Sequence, residues 1–112
     1  MLIVGAALSK VIVLGESIGT APAAFLASLG NVDTLILISP FTKFSEVASY
    51  HYPFLPISFL LHDTYDNSEA LKNFDGKLLI LHGTKDTTVP SKFSEILLRE
   101  IPIKNKERIL IN

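Results

Sequence analysis

Four short runs of aliphatic residues divide the chain and limit the folds open to it. Each run is continuous rather than alternating, which is typical of a strand buried on both faces of a parallel sheet. The runs cover residues 11–14, 34–38, 78–81 and 108–111. Helical patterns lie between them, over residues 18–29 and about 90–100. This alternation predicts an α/β fold, with a mostly parallel sheet of about four strands, flanking helices and right-handed crossovers.

The length and composition predict one packed domain. The chain has 112 residues, of which 48% are hydrophobic, so a single core of ordinary size can form. The apolar segment at residues 1–8 has no basic leader and is too short to span a bilayer. We therefore interpret it as a core or edge element rather than a signal peptide. A cytoplasmic protein is the resulting expectation.

The charge and the residue types exclude several classes of function. The formal net charge is -1, from 10 basic and 11 acidic residues scattered along the chain, so no basic stripe predicts a nucleic-acid partner. The absence of cysteine excludes disulfides, cysteine metal sites and thiol catalysis. No two of the three histidines have the i, i+4 spacing of a helical metal site, so no metal is predicted.

A long insert, residues 40–75, separates the second and third runs. Residues 50–61 mix aromatic side chains, prolines and aliphatic side chains without a clear period. Residues 63–74 predict a short helix with Asn67 or Ser68 as its N-cap. The insert is either a helix pair closing over the sheet or the apolar wall of a substrate pocket. Both interpretations need the same apolar residues, and the candidate pocket residues are Phe41, Tyr52, Phe54 and Leu55.

A Gly-x-Ser-x-Gly motif connects the first run directly to the following helix. At such a sharp turn the hydroxyl of Ser17 would point outward from a strained backbone. Gly15 and Gly19 would let the strand and the helix approach closely. The backbone N–H of Ile18, at the start of the helix, would face an oxyanion formed on the attacked carbonyl. The alternative is a tight turn with an incidental serine.

A serine nucleophile needs a base, and the base needs an acid that orients it. Asp86 follows the third run, in the loop His-Gly-Thr-Lys-Asp-Thr-Thr-Val-Pro, where triads of the order serine, acid, histidine place the acid. Asp86 could instead cap this loop. His51 and His62 lie in the insert, where a histidine among aromatic residues is more often packed or exposed than catalytic.

The sequence resembles the C-terminal half of an α/β-hydrolase. The resemblance rests on four segments, LGESIGTAPAAFLAS, LILISPFTKFSEVA, YPFLPISFLLHDTYDN and LLILHGTKDTTVP. Within the family, the sequence is most similar to the depalmitoylases and serine aminopeptidase-like proteins. It implies that residues 1–112 form a single partial domain. It also implies that Ser17 is the nucleophile, Asp86 the triad acid and the Ile18 N–H an oxyanion donor. The implied substrate is a hydrophobic acyl compound, no cofactor is implied, and His82 receives no catalytic role.

Two features of that family have no counterpart in the sequence. Its members place the triad histidine after the last strand, and a loop upstream of the serine supplies the second oxyanion donor. The predicted function is therefore a truncated serine hydrolase of esters or thioesters, weakly active or inactive as this chain. The alternative is a non-catalytic interaction module that pairs, including with itself, through an open sheet edge. A nucleotide-binding fold is a weaker hypothesis, because G-x-G-x-x-G and G-x-x-x-x-G-K-[ST] are both missing.

Overall fold

The computed structural model of the chain describes residues 1–7, 10–56 and 66–112. In these ranges, five strands form one sheet. They are β1 (Leu2–Ala7), β2 (Lys10–Glu16), β3 (Thr34–Ile38), β4 (Lys77–Gly83) and β5 (Lys106–Ile111). The helices are α1 (Thr20–Ser28), α2 (Phe44–His51), α3 (Asn67–Ala70) and α4 (Lys92–Glu100). Within these described ranges, no helix is both long and apolar enough to cross a membrane.

The strands lie in the order in which they occur in the chain, β1 to β5. The strands β2, β3, β4 and β5 are parallel to one another, whereas β1 pairs with β2 in an antiparallel ladder. The predicted α/β class and its mostly parallel sheet are thus confirmed. The sheet has five strands rather than about four, because the apolar segment at the N-terminus forms an edge strand. Among the described residues, the outer strand at this side of the sheet is therefore β1 and not the strand of the first aliphatic run, β2.

The main core lies on one face of the sheet. Val13, Leu35 and Leu78, at most 1% exposed, pack there with the alanines of α1 and with Leu97 of α4. Side chains on the opposite face are partly exposed, and Ile12 beside Val13 is 42% exposed. The prediction that these strands are buried on both faces is therefore wrong. The helix α1 contacts α3, and α3 contacts α4; residues of α1 and α4 share the core on this face. A continuous apolar run therefore predicts a strand with two apolar faces but not which of them is covered.

The insert packs against the carboxyl end of the sheet through a smaller cluster. Phe41, Val47, Val89 and Phe93 are each at most 5% exposed and form this second core. The helix α3 begins one residue earlier than the predicted caps imply. Asp66 is the N-cap, and its carboxylate accepts hydrogen bonds from the backbone N–H groups of the next turn. The predicted start of that helix at residue 63 lies outside the described residues.

Candidate active site

The turn between β2 and α1 has the geometry of a strained elbow. β2 ends at Glu16, residues 17–19 form one 3-10 turn, and α1 starts at Thr20. Ser17 has a φ of +52°, a left-handed conformation that is uncommon for a residue with a side chain. A Cβ atom on Gly15 would lie 2.5 Å from the carbonyl oxygen of Gly19. The strand and the helix therefore meet so closely that only glycine fits at position 15.

Two buried polar side chains, Thr20 and Asn67, support the turn at Ser17 through hydrogen bonds. The Thr20 hydroxyl donates to the carbonyl oxygen of Ser17 at 2.6 Å. The side-chain amide of Asn67 donates to the Thr20 hydroxyl at 3.3 Å and to the carbonyl oxygen of Phe41 at 2.7 Å. Both side chains are at most 1% exposed. The backbone of Ser17 is thus tied to the insert, a link that the sequence did not reveal, since Asn67 was predicted only as a cap.

Asp86 lies in the loop after β4, where its carboxylate is held by several donors. One oxygen, Oδ1, accepts from the backbone N–H groups of Thr88 at 3.0 Å and Val89 at 2.9 Å. The other oxygen, Oδ2, accepts from the Ser39 hydroxyl at 2.9 Å. These bonds fix the direction of the carboxylate, and its side chain keeps 23% exposure. Asp86 does cap its own loop, and the same bonds orient it for a further donor on Oδ2.

Ser39 is a site residue that sequence reasoning passed over. It follows β3 directly and, like Ser17, has a φ of +52°. Its backbone N–H donates to the carbonyl oxygen of Leu81 at 2.9 Å, which fixes the position of the turn against β4. The available signal was a Ser-Pro pair at the end of a buried strand. The contact with Asp86 spans 47 positions of sequence and could not be inferred from local pattern.

Ser17, Ser39 and Asp86 lie at the carboxyl ends of three adjacent strands. The register aligns Glu16 with Ile38 and Ile38 with Leu81, so these strands end nearly level. Neighbouring strands are about 4.8 Å apart, which separates the ends of β2 and β4 by roughly 10 Å. One imidazole ring with a hydrogen bond of about 2.8 Å on each side would span most of that separation.

Known proteins and solved structures are similar to this chain in sequence and in fold. An uncharacterized protein of Mycobacterium tuberculosis is 38% identical over 90 residues, covering 80% of this chain and 32% of that protein. The human alpha/beta hydrolase domain-containing protein 17B is 32% identical over 80 residues, covering 71% of this chain and 26% of that protein. Acetyl xylan esterase 1 from Thermoanaerobacterium sp. superposes with a TM-score of 0.70 at 20% identity, covering 93% of this chain and 39% of that structure.

The chain has a partial α/β-hydrolase fold. It spans about a third or less of the length of the curated relatives named above. No family model matches it. The resemblance read from the sequence is therefore confirmed for the fold, and the roles of individual side chains in this α/β-hydrolase fold stay predictions.

Neither of the two described histidines hydrogen-bonds to the Ser17 hydroxyl. His82 is fully buried, and its Nε2 donates to the carbonyl oxygen of Val89 at 2.5 Å. Because a carbonyl only accepts, this bond requires a proton on Nε2. The other ring nitrogen, Nδ1, is buried, and the described residues supply no hydrogen-bond partner for it. The Nε2 of His51 bonds to the carbonyl oxygen of Thr88 at 2.7 Å. His62 lies outside the described residues.

The remaining predicted site residues occupy different environments. Ile18 is in the 3-10 turn with a side chain that is 66% exposed. Phe41 is only 2% exposed and belongs to the second core, whereas Phe54 is 79% exposed. Tyr52 contacts Phe54 edge to face, with 6.4 Å between ring centroids, and Leu55 is 41% exposed. Within the described ranges, no group of acidic and histidine side chains could hold a metal ion.

Proposed function

We propose that this chain provides the nucleophile and the acid of a serine hydrolase that acts on carboxylic esters or thioesters. The observation that carries the proposal is the positive φ of Ser17 at the turn from β2 into α1. The carboxylate of Asp86, which accepts a hydrogen bond from Ser39, lies at the same carboxyl end of the sheet, two strands away. The similarity to an alpha/beta hydrolase domain-containing protein and to an acetyl xylan esterase supports the same class of reaction.

The proposed reaction passes through an acyl-Ser17 intermediate. A neutral imidazole removes the proton of the Ser17 hydroxyl while Oγ attacks the substrate carbonyl carbon. The carbonyl oxygen becomes an oxyanion, which the N–H of Ile18 stabilises. The intermediate collapses as the imidazolium gives its proton to the leaving alcohol or thiol. Water then attacks the acyl-Ser17 intermediate by the same steps and releases the carboxylic acid product. Asp86 orients the imidazole through Oδ2 in both halves of the reaction.

The exposed aromatic residues of the insert fit an apolar acyl group. Tyr52 is 53% exposed and Phe54 is 79% exposed, and a substrate chain lying on them would remove apolar surface from water. Phe41 lies beneath the surface and would support the wall from within rather than touch the substrate. A hydrophobic acyl compound is the substrate class we propose on this ground. The mechanism uses only protein groups and calls for no cofactor.

Added imidazole should restore ester hydrolysis by this chain. Without a base beside the serine, turnover falls on the order of a million-fold below that of a complete triad. We therefore expect slow hydrolysis of a p-nitrophenyl acyl ester. Imidazole should accelerate it on the order of a hundredfold, the lower end of what general base catalysis contributes. The measurement is the initial rate as a function of imidazole concentration, with a rate that saturates.

Asp86→Asn is the matched control for this experiment. It keeps the size of the side chain but removes the charge that stabilises an imidazolium, so the saturating acceleration should disappear. An acceleration that stays linear in imidazole and is equal with and without Asp86 would be ordinary solution catalysis. That result would contradict the proposed site.

Ser39→Ala should slow the imidazole-dependent reaction about tenfold. It removes one hydrogen bond to a carboxylate, worth about 1.5 kcal/mol or more, and so loosens the orientation of Asp86. Ser39→Gly also lacks the hydroxyl but adopts the left-handed backbone of position 39 (φ +52°) without strain, so it should slow the reaction about as much. In the Asp86→Asn background the alanine substitution should have little further effect, because its effect acts through that carboxylate. A loss with alanine but not with glycine would assign Ser39 a purely structural role.

A further inference from the structure

The carbonyl group of Ser17 belongs to the same peptide unit as the N–H of Ile18. A trans peptide is planar, so its C=O and N–H bonds point in opposite directions and turn together. The Ser17 carbonyl oxygen accepts hydrogen bonds from the backbone N–H of Thr20 and from the Thr20 hydroxyl, the latter at 2.6 Å. Because Thr20 is fully buried, these bonds hold the carbonyl toward the interior. The N–H of Ile18 is therefore held in the opposite direction.

The side-chain amide of Asn67 determines where the Thr20 hydroxyl donates. A hydroxyl has one proton to donate and can also accept, whereas an amide nitrogen only donates. The Asn67 amide nitrogen, Nδ2, donates to Thr20 Oγ1 at 3.3 Å, so the hydroxyl proton is left for the Ser17 carbonyl. Hydrogen bonds arranged in such a buried chain polarise and strengthen one another.

The insert fixes Asn67 in turn. Its side-chain amide donates to the carbonyl oxygen of Phe41 at 2.7 Å, and its backbone N–H donates to the carbonyl oxygen of Thr42 at 2.8 Å. The Asn67 side chain is 1% exposed, so water does not compete for these bonds. A chain of hydrogen bonds, the Asn67–Thr20 link, therefore runs from the insert to the peptide unit that carries the Ile18 N–H.

We propose that Asn67 and Thr20 are positioning residues that aim the Ile18 N–H at the oxyanion. Both act through the Ser17 peptide unit. The inference rests on the proposed hydrolase reaction, in which the Ile18 N–H is an oxyanion donor. Such a donor is most effective when it is fixed in advance where the charge develops. The insert thereby contributes to the stabilisation of the transition state, in addition to its contact with an acyl group.

Thr20→Val tests the link, and Thr20→Ser is its matched control. Valine keeps the shape of threonine without the hydroxyl, whereas serine keeps the hydroxyl and loses a methyl group. With saturating imidazole, Thr20→Val should lower kcat for the p-nitrophenyl ester about tenfold, part of the hundredfold or more that loss of an oxyanion donor costs. KM should not change, since the donor acts on the transition state. Thr20→Ser should retain most of the rate.

A second measurement does not depend on activity. The NMR order parameter of a backbone N–H is about 0.85 where the chain is rigid and below about 0.6 where it is flexible. We expect the rigid value for Ile18 in the wild type and in Thr20→Ser, and a clear decrease in Thr20→Val. The N–H of Leu35, a fully buried residue of β3, should keep its value in all three chains.

Asn67→Ala tests the part of the link that lies in the insert. It should lower both kcat and the Ile18 order parameter several-fold less than complete loss of the donor would. In the Thr20→Val background it should have little further effect, because both substitutions act through the same hydroxyl. Asn73→Ala is the matched control, since Asn73 is an exposed asparagine close by in the sequence and should change neither quantity.

The outcomes separate the Asn67–Thr20 link from the proposed reaction. An unchanged Ile18 order parameter in Thr20→Val, or an equal loss of order at Ile18 and Leu35, would overturn the link. Equal losses of kcat in Thr20→Val and Thr20→Ser would overturn it as well. A wild type that hydrolyses no ester with imidazole would contradict the proposed reaction instead, and the order parameters alone would then decide whether the link positions the Ile18 N–H.

Discussion

Replacing Ser17 with alanine should abolish reaction of the chain with a fluorophosphonate probe. The probe transfers its phosphonyl group to an activated serine oxygen and releases fluoride. Alanine removes the only atom at that position that could accept the group. We expect labelling in the presence of imidazole to fall to the background of a heat-unfolded sample. The measurement is mass spectrometry of the tryptic peptide that contains the modified residue.

Ser39 provides an internal control for this labelling experiment. It lies at the end of the neighbouring strand and has the same φ of +52° as Ser17. It differs in that its hydroxyl donates to Asp86 at 2.9 Å, and it does not begin the turn into a helix. Modification at Ser17 alone agrees with the proposed nucleophile. Modification at Ser39, or equal modification of both serines, would contradict it.

Local sequence pattern was sufficient to predict the elements that surround the site. A continuous aliphatic run followed by Gly-x-Ser-x-Gly and an alanine-rich stretch has few local solutions, and the observed turn at residues 17–19 lies where that pattern predicts it. Short-range signals of this kind depend on backbone geometry within a few residues. Such a motif can therefore be recognised without knowing the rest of the fold.

The contacts that hold the site could not be predicted in the same way. The hydroxyl of Ser39 reaches Asp86 across 47 positions, and the amide of Asn67 reaches Thr20 across 47 positions. Both contacts depend on how the strands are ordered and on how the insert packs. A Ser-Pro pair and an asparagine near a helix start are common in loops, where capping is the more frequent role. In the folded chain, tertiary packing instead places Ser39 against Asp86 and Asn67 against Thr20.

The partly exposed sheet face reflects a related limit of pattern reasoning. An aliphatic run reports that both faces of a strand are apolar, but it does not report which element covers each face. Val13 is 1% exposed and Ile12 is 42% exposed, although the two residues are neighbours of similar hydrophobicity. The N-terminal strand illustrates the same point, because its apolar character was evident and its antiparallel pairing was not.

Gly15→Ala should destabilise the chain by about 3 kcal/mol, measured as the free energy of unfolding in urea. The new Cβ would lie 2.5 Å from the carbonyl oxygen of Gly19 and 2.6 Å from the Cβ of Ala23. Neither neighbour is the flexible end of a long side chain, so α1 must move away from β2, and overpacking of this kind typically costs about 1–3 kcal/mol. The displaced helix would also shift the turn that contains Ser17. The rate of imidazole-dependent hydrolysis should therefore decrease together with the free energy of unfolding.

Gly5→Ala is the matched control, because a Cβ on Gly5 would meet no atom within 4 Å. Gly5 is also in a strand, so this variant receives the same gain in backbone propensity, about 0.5–1 kcal/mol, without the clash. We expect it to be as stable as the wild type or slightly more stable, and equally active. If both alanine variants unfold at the same urea concentration, β2 and α1 do not approach closely at position 15. In that case the strained conformation of Ser17 would lack the packing that maintains it, because a left-handed serine persists only where its surroundings leave no relaxed alternative.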